Sequence, residues 1–156
     1  MSEPRSSNIP ASSVPVSALM SAPIVTISPE APLRAARATM AAAGVHHLLV
    51  SDRGRIVGII SDRDIAHRLS RAAERGLPTR HDEEAMERPV IQVAAFHMIT
   101  IPGTATVEEA AAQIIEGNVS ALPVTNEGGT IIGIVTTRDL LRGLLACVLP
   151  GAERAA

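Results

Sequence analysis

The sequence predicts a mixed α/β (α+β) fold made of two β-α-β-β-α repeats that pack with pseudo-two-fold symmetry. The first observation behind it is an internal repeat, in which Gly58–Ile65, GIISDRDI, is matched by Gly133–Leu140, GIVTTRDL. The second is that a Thr-Ile pair precedes an alanine-rich stretch in both copies, at Thr26 and at Thr100. Two copies can bury their apolar faces against each other, so the repeat decides the fold. Clefts between packed units are also where ligands usually bind.

The first copy contains signals for five elements. Leu33, Ala36 and Met40 recur at helical spacing, which predicts a helix over Leu33–Ala43. Pro32 suits the start of this helix, and Gly44 suits a left-handed C-terminal cap. Apolar, β-rich runs predict strands, and Ser61 is expected to cap a second helix. The predicted strands cover 24–27, 47–50 and 56–60, with a hairpin turn at 52–54, and the second helix extends to about 75.

The second copy repeats this order of elements. Asn118 replaces Gly44, and both residue types tolerate the left-handed conformation. One additional glycine, in Gly128-Gly129, lengthens the hairpin turn. The predicted strands cover about 98–101, 121–124 and 130–135, and the predicted helices cover 107–116 and 137 to about 149.

These elements divide the chain into five segments. The N-terminal segment is rich in Ser and Pro and lacks a long apolar stretch, so we expect a flexible tail and not a signal peptide. The segment after the first repeat is polar and charged, which is typical of a linker. The predicted boundaries are a tail at 1–15, a first repeat at 16–75, a linker at 76–89, a second repeat at 90–149 and a tail at 150–156.

Composition excludes several classes of function. The net charge is −2, so no basic surface for nucleic acid is expected. Phe96 is the only aromatic residue, which argues against stacking on single-stranded nucleic acid. Cys147 cannot form an internal disulfide and is expected to be a small buried hydrophobe. No apolar run is long enough to span a membrane, and a cytoplasmic location is the default expectation.

The last predicted helix is more apolar than a solvent-facing helix needs to be. Its apolar residues cover more than one stripe: Leu140, Leu141, Leu144, Leu145 and Val148. Two explanations stay open, and both can hold. The helix packs across the other repeat, or part of it forms a dimer interface.

The repeated Ser/Thr-x-Arg-Asp motif carries the chemistry that the sequence offers. Ser61 and Thr136 lie where a strand becomes a helix, and free N–H groups at a helix start attract anions. Arg63 and Arg138 can add a forked cation suited to phosphate, and Asp64 and Asp139 can accept from ribose hydroxyls. The same spacing also fits a capping box, which stabilises a helix without any ligand. The motif alone leaves both roles open.

In three matched pieces the chain resembles a tandem pair of cystathionine-β-synthase (CBS) domains. The first piece is Thr-Ile-x-x-x-Ala-x-(Leu/Val) before the Ala-rich helix. The second is VSALPV at 119–124, which corresponds to 45–50 in the first copy. The third is Gly-Ile-(Ile/Val) followed directly by the Ser/Thr-x-Arg-Asp motif. The ordered set occurs twice and covers roughly 16–145. The resemblance implies a regulatory, non-enzymatic module similar to stand-alone bacterial members, two clefts between the repeats and adenosine-containing ligands. It also implies that such pairs often dimerise into a flat disc.

The resemblance further implies which residues line each cleft, using both repeats for each one. The alternative for every apolar residue among them is that it only packs in the core. The Asp139 cleft would contain Met20, Val25, Val45, His46, Ile134, Thr136, Arg138 and Asp139. The Asp64 cleft would contain His47, Ile59, Ser61, Arg63, Asp64, Ala94, Ile99, Val119 and Ser120.

The two clefts are expected to differ. Phe96 and His97 stand where the first copy has Ala22 and Pro23, and they can crowd the Asp64 cleft. Arg63 and the pair His46-His47 give that cleft more positive charge for phosphate, unless the two histidines are only strand-edge residues. Adjacent residues of a strand point to opposite faces, so the pair is not expected to share a metal.

The leading hypothesis is a sensor of an adenine nucleotide, S-adenosylmethionine or NAD, whose binding changes the repeat or dimer arrangement that a separate protein reads. The rival hypothesis is a structural or interaction module with vestigial clefts and the apolar last helix as its working surface. No catalytic Ser/His/Asp order, metal cluster or Gly-rich phosphate loop occurs, so no enzymatic activity and no required cofactor are expected.

Overall fold

Two three-stranded sheets, each with its own helices, form the part of the chain that the computed structural model describes. That part is residues 14–148 without 71, 72 and 74, and the side chains of 146–148 are not described. In each sheet a two-residue strand pairs in parallel with the middle strand, which pairs antiparallel with the third. The first sheet is β1 (Thr26–Ile27), β2 (His47–Asp52) and β3 (Arg55–Ser61), and the second is β4 (Ile101–Pro102), β5 (Ala121–Thr125) and β6 (Ile131–Thr136). The predicted mixed fold with two β-α-β-β-α repeats is confirmed.

Helix α1 (Leu33–Ala43) has the predicted bounds. Pro32 is its N-cap, and Gly44 ends it with φ 65°, where its N–H donates to the carbonyl oxygens of Met40 and Ala41. Leu33, Ala36 and Met40 are buried, as their spacing predicted. Helical periodicity therefore identified the face that packs on the first sheet.

Helix α2 (Asp62–Ala66) is shorter than predicted. Extension of this helix to about residue 75 is wrong, because the N–H groups of Arg68 and Leu69 donate to carbonyls only three residues back. Ser70 then donates its N–H and its hydroxyl to Asp82, at 2.6 and 2.8 Å. The Asp82 side chain thus accepts from the one backbone N–H, that of Ser70, which would otherwise continue the helix.

The predicted linker contains helix α3 (Arg80–Met86), which was not predicted from the sequence. Ala85 and Met86 are buried, so this helix contributes to the core of the first sheet. Thr79 and Asp82 form a capping box at its start. Their spacing matches that of Ser61 and Asp64, and this spacing was the available signal.

Two compact units divide the chain, and neither coincides with one sequence repeat. The first-sheet unit covers 24–98, and the second-sheet unit combines residues up to 23 with those from 99 onward. In the second-sheet unit Ser21 and Ile134 exchange backbone hydrogen bonds of 2.8 and 3.1 Å. In the first-sheet unit Ala95 and Ile59 do the same at 2.9 Å each. The segment before each repeat therefore packs on the sheet of the other repeat.

The second-sheet unit holds α4 (Val107–Gly117) and α5 (Thr137–Val148). Asn118 ends α4 in the predicted left-handed conformation, with φ 49°. On α5, Leu140 is buried, whereas Leu141 and Leu145 are 55 % and 56 % exposed. None of the described helices is long and apolar enough to cross a membrane. Residues 1–13 of the predicted tail at 1–15, the predicted tail at 150–156, the end of the last helix at 149 and the side chain of Cys147 lie outside the described residues.

Candidate functional site

The Asp64 turn, residues Ser61 to Asp64, joins β3 to α2 and forms a complete capping box. The Ser61 N–H and hydroxyl both donate to Asp64 Oδ2, at 2.8 and 2.6 Å. The Asp64 N–H donates to Ser61 Oγ at 3.2 Å. Ser61 is only 9 % exposed, and Asp64 is half-buried, so the carboxylate is fixed at the edge of the sheet.

The Asp139 turn, residues Thr136 to Asp139, repeats this geometry between β6 and α5. The Thr136 N–H and hydroxyl donate to Asp139 Oδ2 at 2.9 and 2.6 Å. The Asp139 N–H donates to Thr136 Oγ1 at 3.3 Å. The two copies of the motif therefore hold their carboxylates in the same way.

The capping box uses only one oxygen of each of these carboxylates. Within the described part of the chain, Oδ1 of Asp64 and Oδ1 of Asp139 have no hydrogen-bond partner. Asp82 shows what a purely structural cap looks like, since both of its oxygens accept hydrogen bonds and it is 1 % exposed. Capping and ligand binding are thus compatible at Asp64 and Asp139, whereas Asp82 has no acceptor oxygen left over for a ligand.

The N–H groups that could have faced an anion are largely occupied. Those of Ser61 and Asp64 are used by the cap, and the Asp62 N–H donates to the His46 carbonyl at 3.0 Å. At the other turn, the Thr137 N–H donates to the Ser120 carbonyl, also at 3.0 Å. A phosphate at either turn would therefore depend on the arginine side chain of the motif.

Several predicted apolar residues lie beside the turn to which they were assigned. In the second-sheet unit, a Cβ placed on Gly133 would be 2.5 Å from Met20 Sδ, so the Met20 side chain covers β6 next to Ile134. Ile134 is 8 % exposed. In the first-sheet unit, Ala94 packs against the core and directly precedes the residue that bonds to Ile59. Both assignments are consistent with the packing described above, in which the segment before each repeat lies on the sheet of the other repeat.

Other predicted residues belong to the opposite unit from their motif aspartate. From the Asp139 set, Val25, Val45 and His46 lie in the first-sheet unit, and from the Asp64 set, Ile99, Val119 and Ser120 lie in the second-sheet unit. Val25, Val45 and Val119 pack against the core of their own unit, as the core-packing alternative requires. Ile99 is 39 % exposed. That these residues line a cleft together with the motif aspartate to which they were assigned remains a prediction.

Phe96 makes the two turns unequal in shape. Its ring Cδ1 would be 3.3 Å from a Cβ on Gly58, so the ring lies against β3 while remaining 42 % exposed. At the repeat position Gly133, the Met20 side chain takes this place. The aromatic ring therefore covers the strand leading into the Asp64 turn, and methionine covers the strand leading into the Asp139 turn.

The two histidines have different surroundings, as the alternation along a strand predicted. His46 is exposed, and its Nδ1 lies 2.6 Å from Asp62 Oδ2. His47 begins β2, and burial lowers its pKa below the usual 6.5 despite the carboxylates of Asp62 and Asp64 nearby. Asp62 was not among the residues predicted from the sequence. The signal was available, because the second copy has Thr137 at the equivalent position.

Both motif arginines are exposed. Arg63 lines an open groove of about 480 Å³ beside α1, together with Arg37, Asp62 and the apolar residues Ile65 and Leu69. Among the described residues, no group of three His, Cys, Asp or Glu side chains could hold a metal ion.

A family model matches most of the chain. The model of the CBS domain fits residues 16–71 and 83–146. A CBS domain-containing protein of Dictyostelium discoideum is 33 % identical over 140 residues, which cover 86 % of this chain and 94 % of that protein. The uncharacterized protein MJ1225 of Methanocaldococcus jannaschii is 30 % identical over 128 residues, covering 78 % of this chain but only 46 % of that protein.

Solved structures have the same fold. The structure of protein MJ1225 has a TM-score of 0.69 at 25 % identity, covering 85 % of this chain and 48 % of that one. The CBS domain pair of protein MJ0100, in complex with 5′-methylthioadenosine and S-adenosyl-L-methionine, has a TM-score of 0.66 at 24 % identity. It covers 82 % of this chain and 93 % of that one.

Proposed function

Because the chain belongs to the CBS domain family, we propose that it is a regulatory module that binds an adenosine-containing ligand through the Asp64 and Asp139 turns. The ligand class is an adenine nucleotide, S-adenosylmethionine or NAD. The module performs no chemistry itself, and a change in its conformation or dimer arrangement is read by a separate protein. A ligand can drive such a change only if it binds the two arrangements with different affinity.

The observation that carries this proposal is the unused oxygen of each motif carboxylate. Asp64 and Asp139 are oriented by their caps, and each keeps Oδ1 without a partner among the described residues. A fixed carboxylate oxygen at the end of a sheet suits the two neighbouring hydroxyls of a ribose, which are donors. The pair of protein MJ0100 holds adenosyl compounds on the same fold.

The role of each residue follows from its place. Asp64 and Asp139 accept from ribose hydroxyls, while Ser61 and Thr136 hold these carboxylates in position. Apolar surface for the base is supplied by Met20 and Ile134 at the Asp139 turn. At the Asp64 turn it is supplied by Ile59 and Ala94. Aliphatic surface must serve this purpose at the Asp139 turn, since the only aromatic residue of the chain, Phe96, packs on the other sheet.

Isothermal titration of the chain with AMP, ADP, ATP, S-adenosylmethionine and NAD tests the proposal. We expect at least one ligand to bind, and Asp139→Ala or Asp64→Ala to weaken binding about tenfold or more, because a hydrogen bond to a charged group is lost. Glu109→Ala is the matched control, since Glu109 is the acid of a capping box at α4 without an assigned ligand role. Absence of heat and of a thermal shift with all five ligands would refute the adenosyl function.

An interaction module is the second candidate, and a specific surface favours it. Leu141 and Leu145 are exposed along α5, and Ile115 on α4 is 77 % exposed. Leu141 and Leu145 are one helical turn apart and so expose neighbouring apolar side chains, which is typical of an interface. A second copy of the chain is our proposed occupant. Native mass spectrometry of the purified protein reports the oligomeric state and any bound nucleotide together. This second candidate would be favoured if the protein is a dimer without bound nucleotide and if Asp64→Ala and Asp139→Ala leave the binding of the second copy unaffected.

A further inference from the structure

The two turns differ in charge at the position after the capping residue. This position is Asp62 in the Asp64 turn and Thr137 in the Asp139 turn. Asp62, Arg63 and Asp64 together carry one net negative charge, whereas Arg138 and Asp139 balance each other. The shared motif therefore presents two different electrostatic environments.

Asp62 is held in place at its turn. Its N–H donates to the His46 carbonyl at 3.0 Å, and its Oδ2 accepts from His46 Nδ1 at 2.6 Å. A carboxylate only accepts hydrogen bonds, so the proton on His46 Nδ1 is directed at Asp62 and not at a ligand. Thr137 has the same backbone anchor, with its N–H on the Ser120 carbonyl at 3.0 Å and its hydroxyl 3.3 Å from that oxygen. The two positions are equivalent in backbone and differ in side-chain charge.

The arginines of the motif are affected differently as a result. Asp62 lines the same groove as Arg37 and Arg63, so a phosphate attracted by these arginines would also meet the Asp62 carboxylate. Among the described residues neither Arg63 nor Arg138 forms an ion pair, but Arg138 follows a threonine whereas Arg63 follows the Asp62 carboxylate. Since the N–H groups at both turns are largely occupied, a phosphate at either turn would interact mainly with these charged side chains.

Building on the function proposed above, we propose that the two turns select different adenosine compounds by charge. The Asp139 turn takes a compound with a 5′-phosphate, and the Asp64 turn takes one whose 5′ group is uncharged or cationic, such as a thioether or a sulfonium. At about 6 Å, in a dielectric between those of water and a protein surface, one unit charge changes an affinity about tenfold. Asp62 and Thr137 are thus the residues that determine specificity.

Titration of the full chain with AMP and adenosine tests this, because the two probes differ only in the phosphate. The Asp64 turn is measured in the Asp139→Ala background, and the Asp139 turn in the Asp64→Ala background. We expect the ratio of AMP to adenosine affinity to be lower at the Asp64 turn. Asp62→Asn should raise that ratio about tenfold, and Thr137→Asp should lower the ratio at the Asp139 turn about tenfold.

Asp52→Asn is the matched control, since it removes the same charge from the opposite end of β2 and should leave the ratio unchanged. Thermal unfolding without ligand checks that each variant folds, and the two substitutions test the idea independently. Equal ratios in the two backgrounds, or ratios that neither Asp62→Asn nor Thr137→Asp changes, would overturn the charge selection while leaving adenosine binding intact. Failure of the wild-type chain to bind either probe or any of the five ligands would instead refute the function itself.

Discussion

At the residue scale, three acids share the Ser/Thr-x-x-Asp spacing, and the structure separates them by what their second oxygen does. Asp64 and Asp139 keep one oxygen without a partner among the described residues, while Asp82 uses both. The spacing is equal in all three, so sequence alone could not decide between a cap and a binding residue. The deciding partner of Asp82 is Ser70, which lies in a turn that no local pattern connects to it.

Replacement of Asp82 by Asn should destabilise the protein. The hydrogen bonds from the Thr79 hydroxyl and then from the Ser70 N–H hold the pKa of this buried carboxyl far below its usual 3.8. The folded state therefore binds the proton more weakly than the unfolded state, so the stabilisation is complete above the unfolded pKa and is lost as the pH falls below about 4. Thermal unfolding at pH 7 should show a Tm lowered by several degrees in Asp82→Asn.

The difference in Tm between the wild type and Asp82→Asn should then become smaller as the pH is lowered from 5 to 3. Glu109→Gln, at the exposed capping box of α4, is the comparison and should change the Tm less. A Tm of Asp82→Asn equal to that of the wild type at pH 7 would contradict the structural role assigned to this carboxylate.

At the element scale, local patterns located most helices and strands but failed around residues 67–86. The stretch after Asp62 favours helix by composition, yet α2 ends at Ala66 because Ser70 bonds to Asp82. The polar composition of the next stretch is typical of a linker, yet it contains α3 with Met86 in the core. The two errors differ in cause: the end of α2 depends on a contact with Asp82 that no local pattern contains, whereas α3 has a local signal in the capping box of Thr79 and Asp82.

Gly58 is the glycine at which the sheet should tolerate a side chain least. A Cβ there would be 2.8 Å from the carbonyl oxygen of Ala95, a backbone atom, and 3.3 Å from the Phe96 ring. Gly58→Ala must therefore displace the segment that pairs with Ile59, and we expect it to lower the free energy of unfolding by about 1–3 kcal/mol. Urea unfolding measures this effect.

Gly128→Ala is the control for that substitution. A Cβ on Gly128, in the β5–β6 hairpin, has only Asn126 Oδ1 near it, at 3.4 Å. Its effect should stay within about 0.5 kcal/mol. Equal losses of stability in the two variants would show that the close approach at Gly58 does not matter.

At the scale of the whole molecule, the repeat predicted two similar units, but each unit is not one repeat. The segments before the two sheets are exchanged, so that Val16 packs with Leu122 and Val135, and Val90 packs with Leu33 and Leu48. Periodicity and turn signals could not reveal this exchange, because both segments have the same local pattern. Only the family resemblance, which assigned Met20 to the same cleft as Asp139, pointed to it.

This swapped packing of the two segments predicts where in the chain a core mutation has its effect. Val16 and Val90 occupy matching positions and are both 0 % exposed, so either Val→Ala change should cost about 2 kcal/mol through lost burial and a cavity. Val16→Ala should loosen the sheet that is distant in sequence, which hydrogen exchange would detect as faster exchange in α4, β5 and β6. Val90→Ala should instead speed exchange in α1, β2 and β3. If Val16→Ala speeds hydrogen exchange only in α1 and β2, the swapped packing of the segments is contradicted, because each segment would then stabilise its own repeat.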